Sequence, residues 1–246
     1  VGRPRVQAGL EAVGAVMPED HVPHVLYPNG FWLGMILPMS NRLRVHPVSP
    51  QQRLVDRAAD VVRHGGLLLC PTDAGYAFVW AVDARDAEAR VVRLRALDTT
   101  HPFTLLCRSL SEAGHLARID DQAFRLVRSH TPGPCTFILP AAPGLPRRLK
   151  QAKRRAVGIR IPDHPAAMAL LETVGEPLLT TSLVLPDTDA EELPSHEAEV
   201  VADAMLRHVD LMIDAEDCPP GPTSVVDCTG DMPELVREGF RPIDLE

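Results

Sequence analysis

Apolar residues at helical spacing, Leu54, Val55, Ala58, Val61 and Val62, are followed by Gly65-Gly66 and an unbroken apolar run from Leu67 to Cys70. The pattern predicts an amphipathic helix with a buried strand directly behind it. Ser49 is placed to cap this helix, Pro50 suits its first position, and Gln52, three residues after Ser49, completes a capping box. The glycine pair ends it. Further strand-like runs at 77–82, 103–107, 135–140, 156–161, 178–183, 209–213, 223–228 and 234–238 alternate with helical patterns at 86–96, 111–117, 121–129, 165–174 and 195–207. Several of the helical patterns open at Asp or Ser caps, and one opens at Pro165. This alternation predicts an α/β fold.

The strand from Leu67 stops at Pro71-Thr72-Asp73-Ala74-Gly75-Tyr76. Small polar residues and a glycine at a strand's C-terminal edge are where α/β proteins bind ligands. Similar strand-plus-polar segments occur at Gly133–Leu139, Gly158–Pro162 and Leu178–Ser182. Four such ends are expected to converge on one pocket.

Residues 1–38 show no clear periodicity and no signal-peptide pattern. They are expected to form a poorly ordered extension ahead of one domain at 39–246, and Met39 suggests a natural start. There is no internal repeat, and no apolar stretch approaches the roughly 20 residues of a membrane span. Five widely spaced cysteines without a C-x-x-C pair read as reduced, buried thiols of a cytoplasmic protein. Ten histidines without metal-ligand spacing predict no protein-built metal site.

The net charge of −8 conceals an asymmetry. Residues 186–246 carry 17 acidic and 3 basic side chains, a net of −14, which leaves +6 on residues 1–185. Arg147, Arg148, Lys150, Lys153, Arg154, Arg155 and Arg160 lie in a stretch, 141–162, that has no acid. Such a cluster suits an anionic partner.

No P-loop and no G-x-G-x-x-G follows a strand, so any nucleotide is held another way. Hydroxyls (Thr72, Thr136, Thr181, Ser182, Thr223, Ser224) and arginines (Arg95, Arg160, Arg237) stand at inferred strand or helix ends without an evident nucleophile–base–acid triad. Such groups bind and orient phosphates and carboxylates, so catalysis would come from positioning and charge stabilisation.

In order, these segments resemble the YrdC/YciO family, whose best-known members are threonylcarbamoyl-AMP synthases. The P-T-[ED]-x-x-Y-G-type strand end is matched by Pro71–Tyr76, P-G-P-x-T by Pro132–Thr136, and V-R-x-P-x-H-P by Ile159–Pro165. The S-T-S end is matched by Thr180–Ser182, S-T-x-x-D by Thr223–Asp227, and R-x-G by Arg237–Gly239. The helix opening at Pro50–Leu54, the run Phe103–Arg108 and Pro146–Leu149 are similar to the YciO branch. The resemblance implies a single twisted mixed sheet flanked by helices, with a large basic concave pocket.

It further implies ATP or AMP, threonine and bicarbonate as ligands, with Mg²⁺ accompanying ATP, and a product that feeds tRNA modification. By motif, substrate contacts fall to Thr72, Tyr76, His101, Ser182 and Thr223, and nucleotide contacts to Arg95, Thr136, Arg160, Thr181 and Arg237. Arg95, Thr72 and Ser182 carry the catalytic roles. Two positions depart from the synthase pattern. In its K-x-R pair, Arg95 stands for the lysine and Leu97 for the arginine; in its S-x-N segment, Val184 stands for the amide. One lost charge-assisted contact costs about 1.5–3 kcal/mol, so weakened or altered activity is expected. The alternative expectation is tRNA or double-stranded RNA binding by the same concave surface, using Arg147, Arg148, Lys150, Lys153, Arg154 and Arg155.

Overall fold

The computed structural model describes residues 41–98, 100–150, 155–185 and 194–245, within the unit that spans Ser40–Glu246. The expected extension over 1–38 lies outside the described residues. The strands are β1 (Arg42–Arg44), β2 (Leu68–Thr72), β3 (Gly75–Ala81), β4 (Thr104–Leu106), β5 (Cys135–Pro140), β6 (Ala156–Arg160), β7 (Leu178–Ser182), β8 (Leu211–Asp214), β9 (Ser224–Asp227) and β10 (Glu234–Arg237). The helices are α1 (Gln52–Arg63), α2 (Arg85–Leu94), α3 (Leu110–Leu116), α4 (Asp121–His130), α5 (Pro165–Val174) and α6 (Ala198–Met205).

All ten strands form one mixed sheet in the order β1-β8-β2-β3-β7-β4-β6-β5-β9-β10. Alternation along the strands sends side chains into two different layers. On one face Leu69, Phe78, Trp80, Leu105, Phe137, Leu139, Ile159 and Leu179 pack with Val91 of α2, Ala113 of α3, Leu126 of α4 and Val201 of α6. On the other face Leu68, Cys70, Val79, Leu106, Leu178 and Ile213 meet Ala58 and Val62 of α1 and Leu170 and Leu171 of α5. The helices α1 and α5 are the ones that enter this second layer. Its covered strand positions are Leu, Val, Ile or Cys, whereas the positions continuing the same face across β7, β4, β6, β5 and β9 are Thr180, Thr104, Gly158, Arg160, Thr136, Ile138 and Val225. All seven line a cavity.

Local signals hold at several helix ends. Ser109 accepts from the Glu112 N–H (3.2 Å), and Asp120 accepts from the Ala123 N–H (2.8 Å). Gly175, at φ +83°, ends α5. The capping box expected at α1 does not form. The Ser49 N–H goes to His46 Nδ1 (3.1 Å), and the Gln52 amide is used by Asp56 (2.8 Å) and by Thr173 at the end of α5 (3.0 Å), so Gln51 occupies the cap position without a side-chain bond.

The helix expected over 195–207 starts instead at Ala198, whose N–H is taken by Asp217 (2.8 Å); Pro194–Glu197 turns back to pack on the β2–β3 hairpin, where Ser195 O accepts from the Tyr76 N–H (2.7 Å). Strand β1 was not expected. Three residues, Arg42–Arg44, become a strand because parallel β8 supplies their ladder.

Candidate functional site

The uncovered part of the sheet face forms the floor of a cavity of about 780 Å³. A row of cross-strand neighbours builds that floor: Thr180 opposes Thr104, Thr104 opposes Gly158, and Gly158 opposes Ile138. At Gly158 a Cβ would lie 3.2 Å from the Thr104 hydroxyl and occupy part of the floor, so the glycine keeps that floor open. One wall comes from Pro194–His196 and Pro220–Thr223, another from His101–Phe103, and a third from Thr181–Val184.

Three arginines reach the cavity from separate elements: Arg95 at the end of α2, Arg160 at the end of β6 and Arg237 at the end of β10. Among its described lining residues none is acidic. Arg95 donates through Nε to the Val184 carbonyl (3.0 Å) and through Nη1 to the Thr181 hydroxyl. Burial lowers the Arg95 pKa, and the charge of Arg237 adds to the effect. Arg237 is lowered likewise by burial and by Arg160. It binds the Thr223 carbonyl (3.0 and 3.1 Å) and hydroxyl (3.0 Å). Three mutually repelling guanidinium groups, only one of them paired with a carboxylate, make a site that is stabilised by an anion.

That carboxylate is Asp73. It pairs with Arg160 behind the wall, and both side chains are 6% exposed. The β2–β3 turn presents Asp73, and Thr72 holds the turn: its hydroxyl donates to the Gly75 carbonyl (2.6 Å) and accepts from the Ala74 N–H (3.1 Å) and from Arg160 (3.3 Å). Thr72 is fully buried and does not line the cavity. The turn consumes the hydroxyl of Thr72, which places this expected substrate and catalytic residue behind the lining.

The other expected substrate and nucleotide residues, Tyr76, Arg95, His101, Thr136, Arg160, Thr181, Ser182, Thr223 and Arg237, all line the one cavity. The Tyr76 hydroxyl is turned away to donate to the Glu216 carbonyl (2.8 Å), so only its ring faces inward. Thr104, Gly158, Thr180, Ser195 and His196 also line the cavity, although none of them was named as a site residue from the sequence. The period-2 alternation would have placed Thr104, Gly158 and Thr180 on one face once the strand order was known.

Both departures are visible. Leu97 packs against the apolar layer and brings no charge, while Val184 lines the wall and lends its carbonyl to Arg95.

The basic cluster lies elsewhere. Arg147–Leu149 is a single 3₁₀ turn, the Arg148 guanidinium donates to the Val82 carbonyl, and Arg155 precedes the first residue of β6. Arg160 stands at the opposite end of that strand, roughly 13 Å away at 3.3 Å per residue. None of Arg148, Lys150 and Arg155 lines the cavity. Lys153 and Arg154 lie outside the described residues. Arg148, Lys150 and Arg155, expected to share one concave surface with the nucleotide residues, thus stand outside the lining of this cavity.

Among the described residues no group of three or more His, Cys, Asp or Glu side chains is placed to hold a metal, and no helix is long and apolar enough to cross a membrane. All five cysteines are free and buried.

Comparison with known proteins places this architecture. The Sua5–YciO–YrdC model, described as telomere recombination, matches residues 60–239. Escherichia coli (strain K12) YciO is 44% identical over 201 residues, covering 82% of this chain and 96% of that protein. The crystal structure of E. coli YciO matches with a TM-score of 0.78 at 43% identity, over 84% of this chain and 99% of that one. A putative threonylcarbamoyl-AMP synthase of Methanocaldococcus jannaschii is 26% identical over 204 residues, 82% of this chain and 94% of its own. P. abyssi Sua5, solved in complex with L-threonine, shares the fold at a TM-score of 0.70 and 24% identity, over 80% of this chain and 57% of that longer one.

Proposed function

This chain belongs to the Sua5–YciO–YrdC family as a YciO-like member, and on that premise we propose that its cavity binds ATP or AMP and joins threonine, bicarbonate and ATP into threonylcarbamoyl-AMP. The single observation that carries the reading is the charge of the lining: three arginines, a set of hydroxyls and no carboxylate among its described residues. We assign the domain that does this to residues 39–246.

The threonine amine first becomes a carbamate at the expense of bicarbonate, with release of water. A carbamate oxygen then attacks the α-phosphorus of ATP, the α–β bridging P–O bond breaks, and pyrophosphate leaves. Arg160 and Arg237, from the ends of β6 and β10, suit the phosphates, whose charge grows on the leaving group. Thr136 and Thr181 offer hydroxyls to the nucleotide, and Ser182 with Thr223 is assigned to the amino-acid end. Arg95 is partly committed to its own wall through Thr181 and Val184. Leu97 supplies no second cation, so turnover slower than that of a site with the full K-x-R pair is expected. Magnesium enters on the phosphates of ATP as part of the substrate, since the lining has no carboxylate to hold it.

Titration calorimetry of the full chain with MgATP and with AMP, with and without threonine and bicarbonate, tests the reading together with a pyrophosphate assay. Threonine-dependent pyrophosphate release supports it. Absence of nucleotide binding removes it.

One observation favours a second role. Arg148 and Arg155 are exposed and do not line the cavity, so tRNA or double-stranded RNA docks on them without blocking the nucleotide site. Such binding would fall steeply with salt.

A further inference from the structure

Carbamate formation from an ammonium group and bicarbonate releases one proton: R–NH₃⁺ and HCO₃⁻ give R–NH–COO⁻, water and H⁺. The new bond is N–C and the broken bonds are two N–H and the C–OH bond of bicarbonate; one proton joins that hydroxyl to leave as water, and the other needs an acceptor. The cavity offers few. Its described lining has no Asp, Glu or Lys, and the Tyr76 hydroxyl is occupied outside it. Two imidazoles remain, His101 and His196. The His196 ring already faces the Glu197 carboxylate at 3.8 Å.

We propose that His101 accepts this proton, acting as the general base of carbamate formation; the assignment rests on the functional reading above. Neither ring nitrogen of His101 has a hydrogen-bond partner among the described residues. The carboxylate nearest in sequence, Asp98, is consumed by the Thr100 N–H and hydroxyl, both at 2.8 Å. The ring is held by packing instead. His101 sits edge-on to Phe103 at 5.5 Å and 65°, and Phe103 sits edge-on to buried Trp80 at 4.9 Å and 86°. The His101 N–H bonds to the Asp98 carbonyl (2.9 Å) and so fixes the loop.

The charged groups that act on the ring are Arg95, from the end of α2, and Asp98, from its own loop. Burial and the Arg95 charge lower the His101 pKa, and Asp98 opposes them weakly. The ring is therefore neutral at physiological pH and able to take a proton. The same Arg95 that shapes the wall thus keeps the base unprotonated.

The test uses the full chain, with the imidazole resonances of the wild type followed by NMR and assigned by comparison with His101→Gln. The expected result has three parts. His101 titrates below the ordinary histidine range, its signals move when threonine and bicarbonate are added to nucleotide-loaded protein, and His101→Gln binds MgATP within twofold of wild type. Turnover at neutral pH falls about 100-fold or more in that variant, and the acid limb of its kcat–pH profile disappears. An acid limb that persists in His101→Gln overturns the inference. So does a wild-type imidazole that ignores threonine and bicarbonate while nucleotide is bound, a result that leaves the nucleotide-binding reading standing. A chain that binds no nucleotide overturns both.

Discussion

Arg160 and Asp73 form an ion pair behind the cavity wall, and each still has one buried polar atom without a partner, Arg160 Nε and Asp73 Oδ2. Such a pair is a weak source of net stability, but breaking it by removing one member strands a charge. Arg160→Met is expected to cost about 3–5 kcal/mol in urea unfolding and to abolish AMP binding. The double variant Asp73→Asn/Arg160→Met should cost less than the sum of its parts. Additive losses would show that the two side chains do not couple.

Arg237 spends its donors on Thr223 and stands, exposed, within electrostatic reach of Arg160. With a phosphate present it has a charge-assisted partner. Arg237→Met is expected to weaken AMP binding by about 1.5–3 kcal/mol, roughly 10- to 150-fold in Kd by calorimetry. An unchanged Kd would take Arg237 out of the anion site.

Gly239 lies where the chain after β10 closes over the wall. A Cβ there would lie 2.3 Å from the Ser224 nitrogen and 2.5 Å from the Thr223 carbonyl carbon, both backbone atoms that cannot step aside cheaply. Gly239→Ala should therefore destabilise by about 1–3 kcal/mol, lowering Tm by roughly 2–12 °C. AMP affinity should fall with it, because Thr223 and Arg237 share that wall.

Burial pushes the Cys218 thiol up to about 12 and the Cys228 thiol up to about 11, from an ordinary value of 9.0. A raised folded-state pKa gives stability that is fully present below pH 9 and is lost as pH rises through 11 and 12. Circular dichroism should show alkaline unfolding that begins above pH 9, and the native chain at pH 8 should resist iodoacetamide until denaturant is added. Rapid alkylation of the native thiols would contradict their burial.

Arg148 and Arg155 stand across β6 from the cavity. Arg148→Glu/Arg155→Glu is expected to leave the AMP Kd within twofold of wild type while weakening tRNA binding and lowering its salt slope by about 1 per cation. Parallel loss of AMP binding would show that the two surfaces communicate.

Much of the site was legible because its residues mark local transitions. Thr136, Arg160, Ser182 and Thr223 each stand within or beside a strand whose apolar alternation is plain in the chain, and Gly158 and Gly239 interrupt patterns where a larger residue would fit. What could not be read locally was which groups are already spoken for. Thr72 and Asp73 look like ligand residues in the chain, yet the turn uses the Thr72 hydroxyl and Arg160 takes the Asp73 carboxylate. Ser49 has the form of a cap, but His46 and Thr173 compete for its neighbours.

By itself the sequence determined the succession of helices and strands and the inventory of arginines and hydroxyls, since helical and strand periods are properties of neighbouring residues. Only the tertiary structure decided that β7 runs between β3 and β4, which sets Ser182 opposite Ala77 and Thr180 opposite Thr104. It also decided that α1 and α5 leave the Thr104–Gly158–Ile138 side of the face open as a cavity, and that Arg148 and Arg155 stand outside its lining. Long-range strand pairing sets those relationships, and no short window of sequence contains it.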